Sequence, residues 1–324
     1  MQLMKAESPG PSVDKFVPRV KDTAKLLYGM YITLTVTQII VLLLAKMPLF
    51  DTLTLTFGTV GTGGFGVRND SIGSYTSLQQ NIITFFMIVS GINYSFYFLI
   101  ISKKFKDAFH LEEIRWYLGI ILGSALLITF NILPLCEGIG DALKHAFFQV
   151  GSIITTTGYS SVDFNLWPEF SKTILVILMI IGACAGSTAG GFKISRMLIL
   201  LKSIKVEISQ MLHPREVKKI RIDGHVVKPE VLRTAQVYLM LYWTIFLLSI
   251  LLISIDNFDF TTNFTAVAAT FNNIGPGLSG VGPMSNFDSY SIFSKFILMI
   301  DMLIGRLELY PIILLLVPAT WKRK

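Results

Sequence analysis

Residues 58–65 read Gly58-Thr59-Val60-Gly61-Thr62-Gly63-Gly64-Phe65, and a related strip recurs twice further along the chain. The second is Thr155-Thr156-Thr157-Gly158-Tyr159 and the third is Asn272-Asn273-Ile274-Gly275-Pro276-Gly277. Gly64, Gly158 and Gly275 align, and Phe65, Tyr159 and Pro276 follow them. Each strip is preceded by a moderately apolar stretch: Phe50–Thr59, Ala142–Ile154 and Phe260–Asn273. Longer apolar blocks stand on both sides of each stretch. They are Leu26–Ala45 and Ile82–Ile101, Trp116–Leu135 and Thr173–Leu201, and Val237–Ile255 and Phe293–Val317. A helix crosses a hydrocarbon core with about 20 apolar residues, whereas stretches of about 10–14 often re-enter it. The pattern therefore predicts crossing, re-entrant helix and crossing, used three times.

Composition agrees with that layout. Of 324 residues, 52% are hydrophobic and only 15% are charged, against about 25% charged in an ordinary soluble domain. The mean hydropathy is +0.61. A disordered chain is excluded and a water-soluble enzyme disfavoured; the expected class is an all-α polytopic membrane protein. Its expected parts are 1–102, a cytoplasmic segment with the first unit seen here; 103–205, a unit whose inner helix is broken; and 206–324, a cytoplasmic excursion with the last unit. The net charge of +7 is concentrated in four places. These are Lys5 to Lys25, Lys103–Arg115, Lys193–Arg233 and Lys322-Arg323-Lys324. Cytoplasmic segments carry the excess of Lys and Arg, so both termini are expected on the cytoplasmic side. The first 25 residues lack the apolar core of a secretory signal. Cys136 and Cys184 lack metal-ligand spacing, as do His110, His145, His213 and His225, and no cofactor is expected.

Non-helical backbone at membrane depth is tolerated only inside protein or along a watery cavity. Glycine reaches backbone angles that other residues avoid, so these strips can turn carbonyls inward. A ring of carbonyls replaces the hydration shell of K⁺ in channel filters. Each re-entrant helix would also aim the negative end of its dipole at that ring. The competing explanation is a set of Gly/Thr turns or helix-packing glycines; three strips in matching positions count against it. No ring of carboxylates is present for a divalent cation.

The chain resembles the membrane subunits of Trk-type potassium uptake systems, in the Trk/Ktr/HKT superfamily. The resemblance rests on FGTVGTGGFGVRNDSIG (57–73) with SGINYSF (90–96), TTTGYSSVDFNLWP (155–168) with GACAGSTAGGFKISR (182–196), and AATFNNIGPGL (268–278) with GRLELYPIILLLVPATW (305–321). It implies helix–pore helix–helix units around a pseudo-symmetric pore. It also implies K⁺ bound by carbonyls at Gly61, Thr62, Gly63 and Gly64, at Thr155, Thr156, Thr157 and Gly158, and at Asn272, Asn273, Ile274 and Gly275. In this superfamily a serine at the first unit's filter glycine is associated with Na⁺ transport. A homodimer in a bacterial or archaeal cytoplasmic membrane and a cytoplasmic nucleotide-binding regulatory subunit are further implications. Members have four pore units, and this chain shows three; its start resembles the linker after the first unit. The alternatives are a Na⁺-dependent or Na⁺-selective transporter of the same fold and a non-conducting fragment. A membrane enzyme is more distant, and nucleic acid is not an expected partner.

The second return crossing is interrupted by residues 182–191. Four glycines there, Gly182, Gly186, Gly190 and Gly191, break a helix at about 1 kcal/mol each relative to alanine. With Ser187 and Thr188 between them, the segment could hang below the strips as a gate, and family members have a gating loop here. A small-residue packing interface is the competing explanation; a phosphate loop would need a Gly-Lys-Ser/Thr ending. Arg306 lies inside an apolar run, where a charge must face protein or water. The expected role, supported by the family, is to face the pore and hold the loop. A pair with Glu308 or Asp301, or a place facing the cytoplasm, is the alternative. Lys193 reads equally as a second electropositive element or a cytoplasmic anchor. Glu137, Asp141 and Asp163 are expected near the outer mouth, attracting cations or simply solvated. The segment 202–233 reads as a cytoplasmic hairpin-like excursion that suits a regulatory partner or a lipid surface.

Overall fold

The computed structural model describes residues 20–215 and 218–317. The basic clusters at Lys5, Lys15 and Arg19 and at residues 322–324 lie outside these described residues.

The chain opens with α1 (Val20–Leu44), the short α2 (Leu49–Val60), α3 (Ser77–Ser90) and α4 (Tyr94–Ile101). After the six-residue α5 (Phe105–His110), the order repeats as α6 (Glu112–Ile132), α7 (Ile139–Ile154), α8 (Glu169–Ile181) and α9 (Ile194–Leu212). A two-stranded antiparallel hairpin, β1 (Arg221–Ile222) and β2 (His225–Val226), leads to the third set. That set is α10 (Pro229–Ile253), α11 (Phe260–Phe271), α12 (Ile292–Leu307) and α13 (Leu309–Leu316). The hairpin is a small addition to an otherwise helical chain and falls inside the segment expected to form one.

Three helices are long and apolar enough to cross a membrane by themselves: Ala24–Leu44, Glu112–Leu135 and Pro229–Asp256. They coincide with the three blocks expected as outgoing crossings. The three returns are all broken, whereas only the second break is expected from the sequence. In the first, α3 and α4 meet at 91°. Asn93, the cap of α4, accepts from the Ser95 N–H at 2.8 Å and starts a new helix. In the second, residues 182–193 separate α8 from α9. In the third, Glu308 at φ +65° separates α12 from α13. A positive φ is uncommon away from glycine; Pro311, three residues on, has no N–H for the Leu307 carbonyl and so helps to end α12.

Local signals set the short helices. Proline at 48 and at 168 precedes α2 and α8, where its fixed φ suits a helix start. The Asp259 side chain accepts from the Thr262 N–H at 3.0 Å and caps α11. Thr76 and Gln79 form a capping box at α3. The short helices are then buried by their neighbours. The first return lies on the second short helix, α3 on α7, and the second return lies on the third, α8 on α11. Each set thus closes on the next, and a shared core runs from Ile128 and Val150 to Leu178, Phe246 and Val267. Apolar residues left outside, among them Ile32, Val36, Leu247 and Leu251, suit a hydrocarbon surrounding.

Candidate functional site

The three strips share one backbone geometry. Each short helix ends on a residue still near helical angles: Gly61 (φ −78°, ψ −4°), Thr155 (−83°, 0°) and Asn272 (−97°, 2°). The following residue is left-handed, with φ of 49° at Thr62, 54° at Thr156 and 56° at Asn273. One residue later the N–H turns back into the helix, Gly63 to the Gly58 carbonyl (2.8 Å), Thr157 to Ser152 (2.9 Å) and Ile274 to Ala269 (2.8 Å). This is a Schellman-type ending, which normally selects glycine for its left-handed position. Thr and Asn hold it here, at a cost of about 1–3 kcal/mol each when the surroundings enforce it. The aligned glycines follow at φ +67°, +86° and +115° for Gly64, Gly158 and Gly275.

The strips also meet. A Cβ on Gly64 would stand 1.8 Å from the Thr157 carbonyl oxygen, and one on Gly158 would stand 1.7 Å from that of Ile274. First strip abuts second, and second abuts third. A Cβ on Gly275 would have no described atom within 4 Å, so the side between third and first is open. All three glycines line one cavity of about 330 Å³ toward Ser160 and Pro276. They also line a second of about 660 Å³ that reaches Met302 and Arg306. Among the described residues, no hydrogen-bond donor occupies the carbonyls of Gly63, Gly64, Thr157, Gly158, Ile274 or Gly275. Gly61 differs: its carbonyl accepts from Thr62 Oγ1 (2.8 Å) and from Arg306 Nη2 (2.9 Å).

Side chains outside the strips hold them in register. The buried Tyr159 reaches into the first set, its hydroxyl donating toward the carbonyls of Phe65 (3.2 Å) and Leu55 (3.3 Å). Pro276 lies against Gly158 in the same sense. Phe65, the matching residue of the first strip, is 76% exposed on the open side. Tyr242 donates to Asn272 Oδ1 (3.0 Å), and Asn273 Nδ2 donates to the Met302 carbonyl (2.9 Å). Of the acidic residues expected at the mouth, Asp141 and Asp163 have local partners. Asp141 pairs with Lys144 at 2.9 Å and with His145 at 3.2 Å, and Asp163 accepts from the Asn165 N–H at 3.0 Å.

The Gly182–Gly191 segment lies directly against the ends of all three short helices. The single Thr62 hydroxyl proton is shared between the Gly61 carbonyl and that of Thr188 (2.9 Å), and Thr188 Oγ1 donates to that of Val60 (3.0 Å). The Gly190 N–H donates to Thr156 Oγ1 (2.7 Å), and a Cβ on Gly190 would come 2.6 Å from the Asn272 carbonyl oxygen. Gly182 (φ +70°) and Gly191 (φ +82°) close the two ends against each other. Gly186, at φ +68°, faces Asn93. Ser187 Oγ donates to the Cys184 carbonyl (2.6 Å), an internal brace.

The charged residues are arranged differently from expectation. Arg306 faces the cavity, but its hydrogen bond is to the first strip, at Gly61, and not to the loop. The loop's polar partners are the neutral Thr62 and Thr156, its own Thr188, and the Glu113 carboxylate, which accepts from the Ala185 N–H at 2.7 Å. Neither Glu308 nor Asp301 pairs with Arg306: Asp301 accepts from Ser249 Oγ at 2.8 Å, and Glu308 pairs with Arg196. Lys193 (φ +79°) is buried and donates back to the Ala189 carbonyl, which makes it part of the loop's own closure rather than an exposed anchor. Three further residues were not singled out by sequence. Arg196 is 1% exposed and lies over the Tyr238 ring at 3.8 Å. Glu113 and Asn93 both touch the loop region. Glu113 bonds Ala185, 72 positions on, and Arg196 bonds Glu308, 112 positions on, too far for spacing to reveal. Among the described residues, no group of His, Cys, Asp and Glu could hold a metal ion.

Residues 1–137 and 138–323 match the family model TrkH, described as "Cation transport protein". The Trk system potassium uptake protein TrkH of Salmonella typhimurium is 36% identical over 327 residues, which cover 99% of this chain and 67% of that protein. The Trk system potassium uptake protein TrkG of Escherichia coli K12 is 34% identical, again over 99% of this chain and 67% of the relative. The crystal structure of the potassium transporter TrkH from Vibrio parahaemolyticus superposes with a TM-score of 0.86 at 31% identity, covering 96% of this chain and 67% of that one. With the family model matching almost every residue and relatives 34–36% identical over nearly its whole length, the chain belongs to the TrkH family of cation transport proteins.

Proposed function

We propose that this protein takes up potassium across a cytoplasmic membrane, through a filter of backbone carbonyls closed by an intramembrane loop. The observation that carries the proposal is the meeting of Gly64, Gly158 and Gly275 at one cavity, each at the end of a short buried helix. Donor-free carbonyls there stand where a dehydrated cation needs them, and three helix C-termini add favourable potential. The ligands are Thr62–Gly64, Thr155–Gly158 and Asn272–Gly275, with Gly61 committed to Thr62 and Arg306. The loop from Gly182 to Gly191 is the gate. Arg306, in the cavity beneath, adds a positive barrier on the ion's path.

Three strips leave the side between Gly275 and Phe65 open, and a fourth strip closes the ring in this proposal. A groove holding an exposed aromatic and a glycine with free space is the surface on which it seats. The names of the relatives describe parts of a "Trk system", which supports a multi-component assembly; we assign to it a second copy of this protein and a cytoplasmic nucleotide-binding subunit.

The test is uptake in a potassium-requiring strain, with Na⁺ as competitor, from the 324-residue chain and from a form extended to the length of its relatives. The expected result is K⁺ uptake by the extended form, unaffected by equimolar Na⁺. Uptake indifferent to K⁺ overturns the proposal.

A further inference from the structure

The cytoplasmic hairpin and the proposed gate are joined by a continuous set of bonds. Ile222 of β1 is 4% exposed and clusters with Ile199 of α9 and with Val227 and Ala235 beside the start of α10. The hairpin is thereby fixed to two helices. At its turn, Asp223 (φ +50°) precedes Gly224 (φ +78°). Asp223 Oδ1 accepts from the backbone N–H of Glu112 at 2.7 Å. Glu112 is the first residue of α6, and Leu111 before it provides no side-chain cap. The hairpin therefore supplies a cap that the helix lacks. The Glu112 carboxylate pairs with Lys202 of α9, which also donates to the Arg221 carbonyl at 2.7 Å.

The next residue is Glu113, 9% exposed. Its Oε1 accepts from the Ala185 N–H at 2.7 Å, inside the loop, and its Oε2 accepts from Asn93 Nδ2 at 3.2 Å. Asn93 caps α4 at the break in the first return. Backbone bonds tie that break to the loop again, from Cys184 N–H to the Gly91 carbonyl (3.2 Å) and from Tyr94 N–H to that of Gly186 (3.1 Å). One buried carboxylate holds the loop and the first return together, one residue away from the hairpin's point of attachment.

We infer that Glu113 is a positioning residue that latches the loop, and that the Asp223 hairpin is the handle by which a cytoplasmic contact releases it. Pulling the hairpin from the start of α6 removes the cap, shifts Glu113 and frees Ala185 and Asn93 together. The inference rests on the loop being the gate, which is the proposal above.

The experiment measures K⁺ flux into liposomes by the full-length protein and five variants, with K⁺/Na⁺ preference recorded for each. A hydrogen bond to a charged group is worth about 1.5–3 kcal/mol, so loss of the latch by Glu113→Ala is expected to raise flux about tenfold or more. Asp223→Ala is expected to raise it less, and the double variant no further than Glu113→Ala alone, because both act on one element. Glu113→Gln keeps one acceptor and the side-chain shape, so a partial rise is expected even where the alanine variant folds poorly. K⁺ preference stays unchanged in all of them, since the strips are untouched. Flux at the wild-type level in Asp223→Ala, or single effects that multiply in the double variant, overturns the inference. Thr188→Ala, which unties the loop from Val60 directly, separates the two levels. If it raises flux while the Glu113 and Asp223 variants do not, the latch is wrong and the gate stands. If no variant raises flux, the gate falls with it.

Discussion

A methyl group on Gly158 would occupy space already held by the Ile274 carbonyl oxygen, 1.7 Å away. The position also has φ +86°, so an L side chain there is strained twice over. Gly158→Ala is therefore expected to remove K⁺ uptake in a potassium-requiring strain while leaving the protein in the membrane fraction; growth at the wild-type rate on low potassium would contradict this. Arg306 makes the opposite prediction. Its guanidinium lines the cavity and bonds Gly61 at 2.9 Å, and a fixed positive charge on the route of a cation opposes its passage. Arg306→Gln is expected to raise K⁺ flux in liposomes severalfold. The glycines were legible in the sequence because only glycine fits their backbone angles and spacing. The engagement of the Gly61 carbonyl was not, since its partner is 245 positions distant and nothing in the motif marks one carbonyl as spoken for.

Between residues and the whole lie the broken returns. The break at 182–191 was legible from four glycines. The break after Ser90 has one glycine, Gly91, and an asparagine cap, a signal too common to single out. The break at Glu308 has one proline, Pro311, which a helix also tolerates in its first turn, and Glu308 itself forms an ion pair with Arg196. That pair fastens α9 to the junction of α12 and α13. Arg196 is almost fully buried, and removing one member of a buried pair typically costs about 3–5 kcal/mol. Glu308→Ala is thus expected to lower the thermal unfolding midpoint in detergent clearly. Arg196→Met combined with Glu308→Leu is expected to recover much of the loss, as apolar replacement leaves no unpaired charge. A midpoint unchanged in Glu308→Ala would show that the pair is not what holds the junction. Tyr159→Phe tests the brace between sets: losing hydroxyl bonds at 3.2 and 3.3 Å costs about 1 kcal/mol. The expected sign is a small fall in midpoint together with weaker K⁺ over Na⁺ preference.

At the scale of the molecule, the sets follow one another so that each return covers the next short helix. The threefold recurrence, the three long apolar helices and the pairing of short helix with strip were all legible, because apolar length and glycine spacing are local properties of the chain. The order in which strips touch, first to second and second to third, required coordinates: it depends on how helices far apart in sequence settle together. Glu113, Asp223 and Arg196 were hidden for the same reason. The account depends on the three strips sharing one ion. The most direct measurement is anomalous diffraction from crystals of the full-length protein grown with Rb⁺ in place of K⁺. The account predicts a peak between Gly64, Gly158 and Gly275, within coordination distance of the Thr62–Gly64, Thr155–Gly158 and Asn272–Gly275 carbonyls. Rb⁺ bound elsewhere, with no peak between these strips, would contradict it.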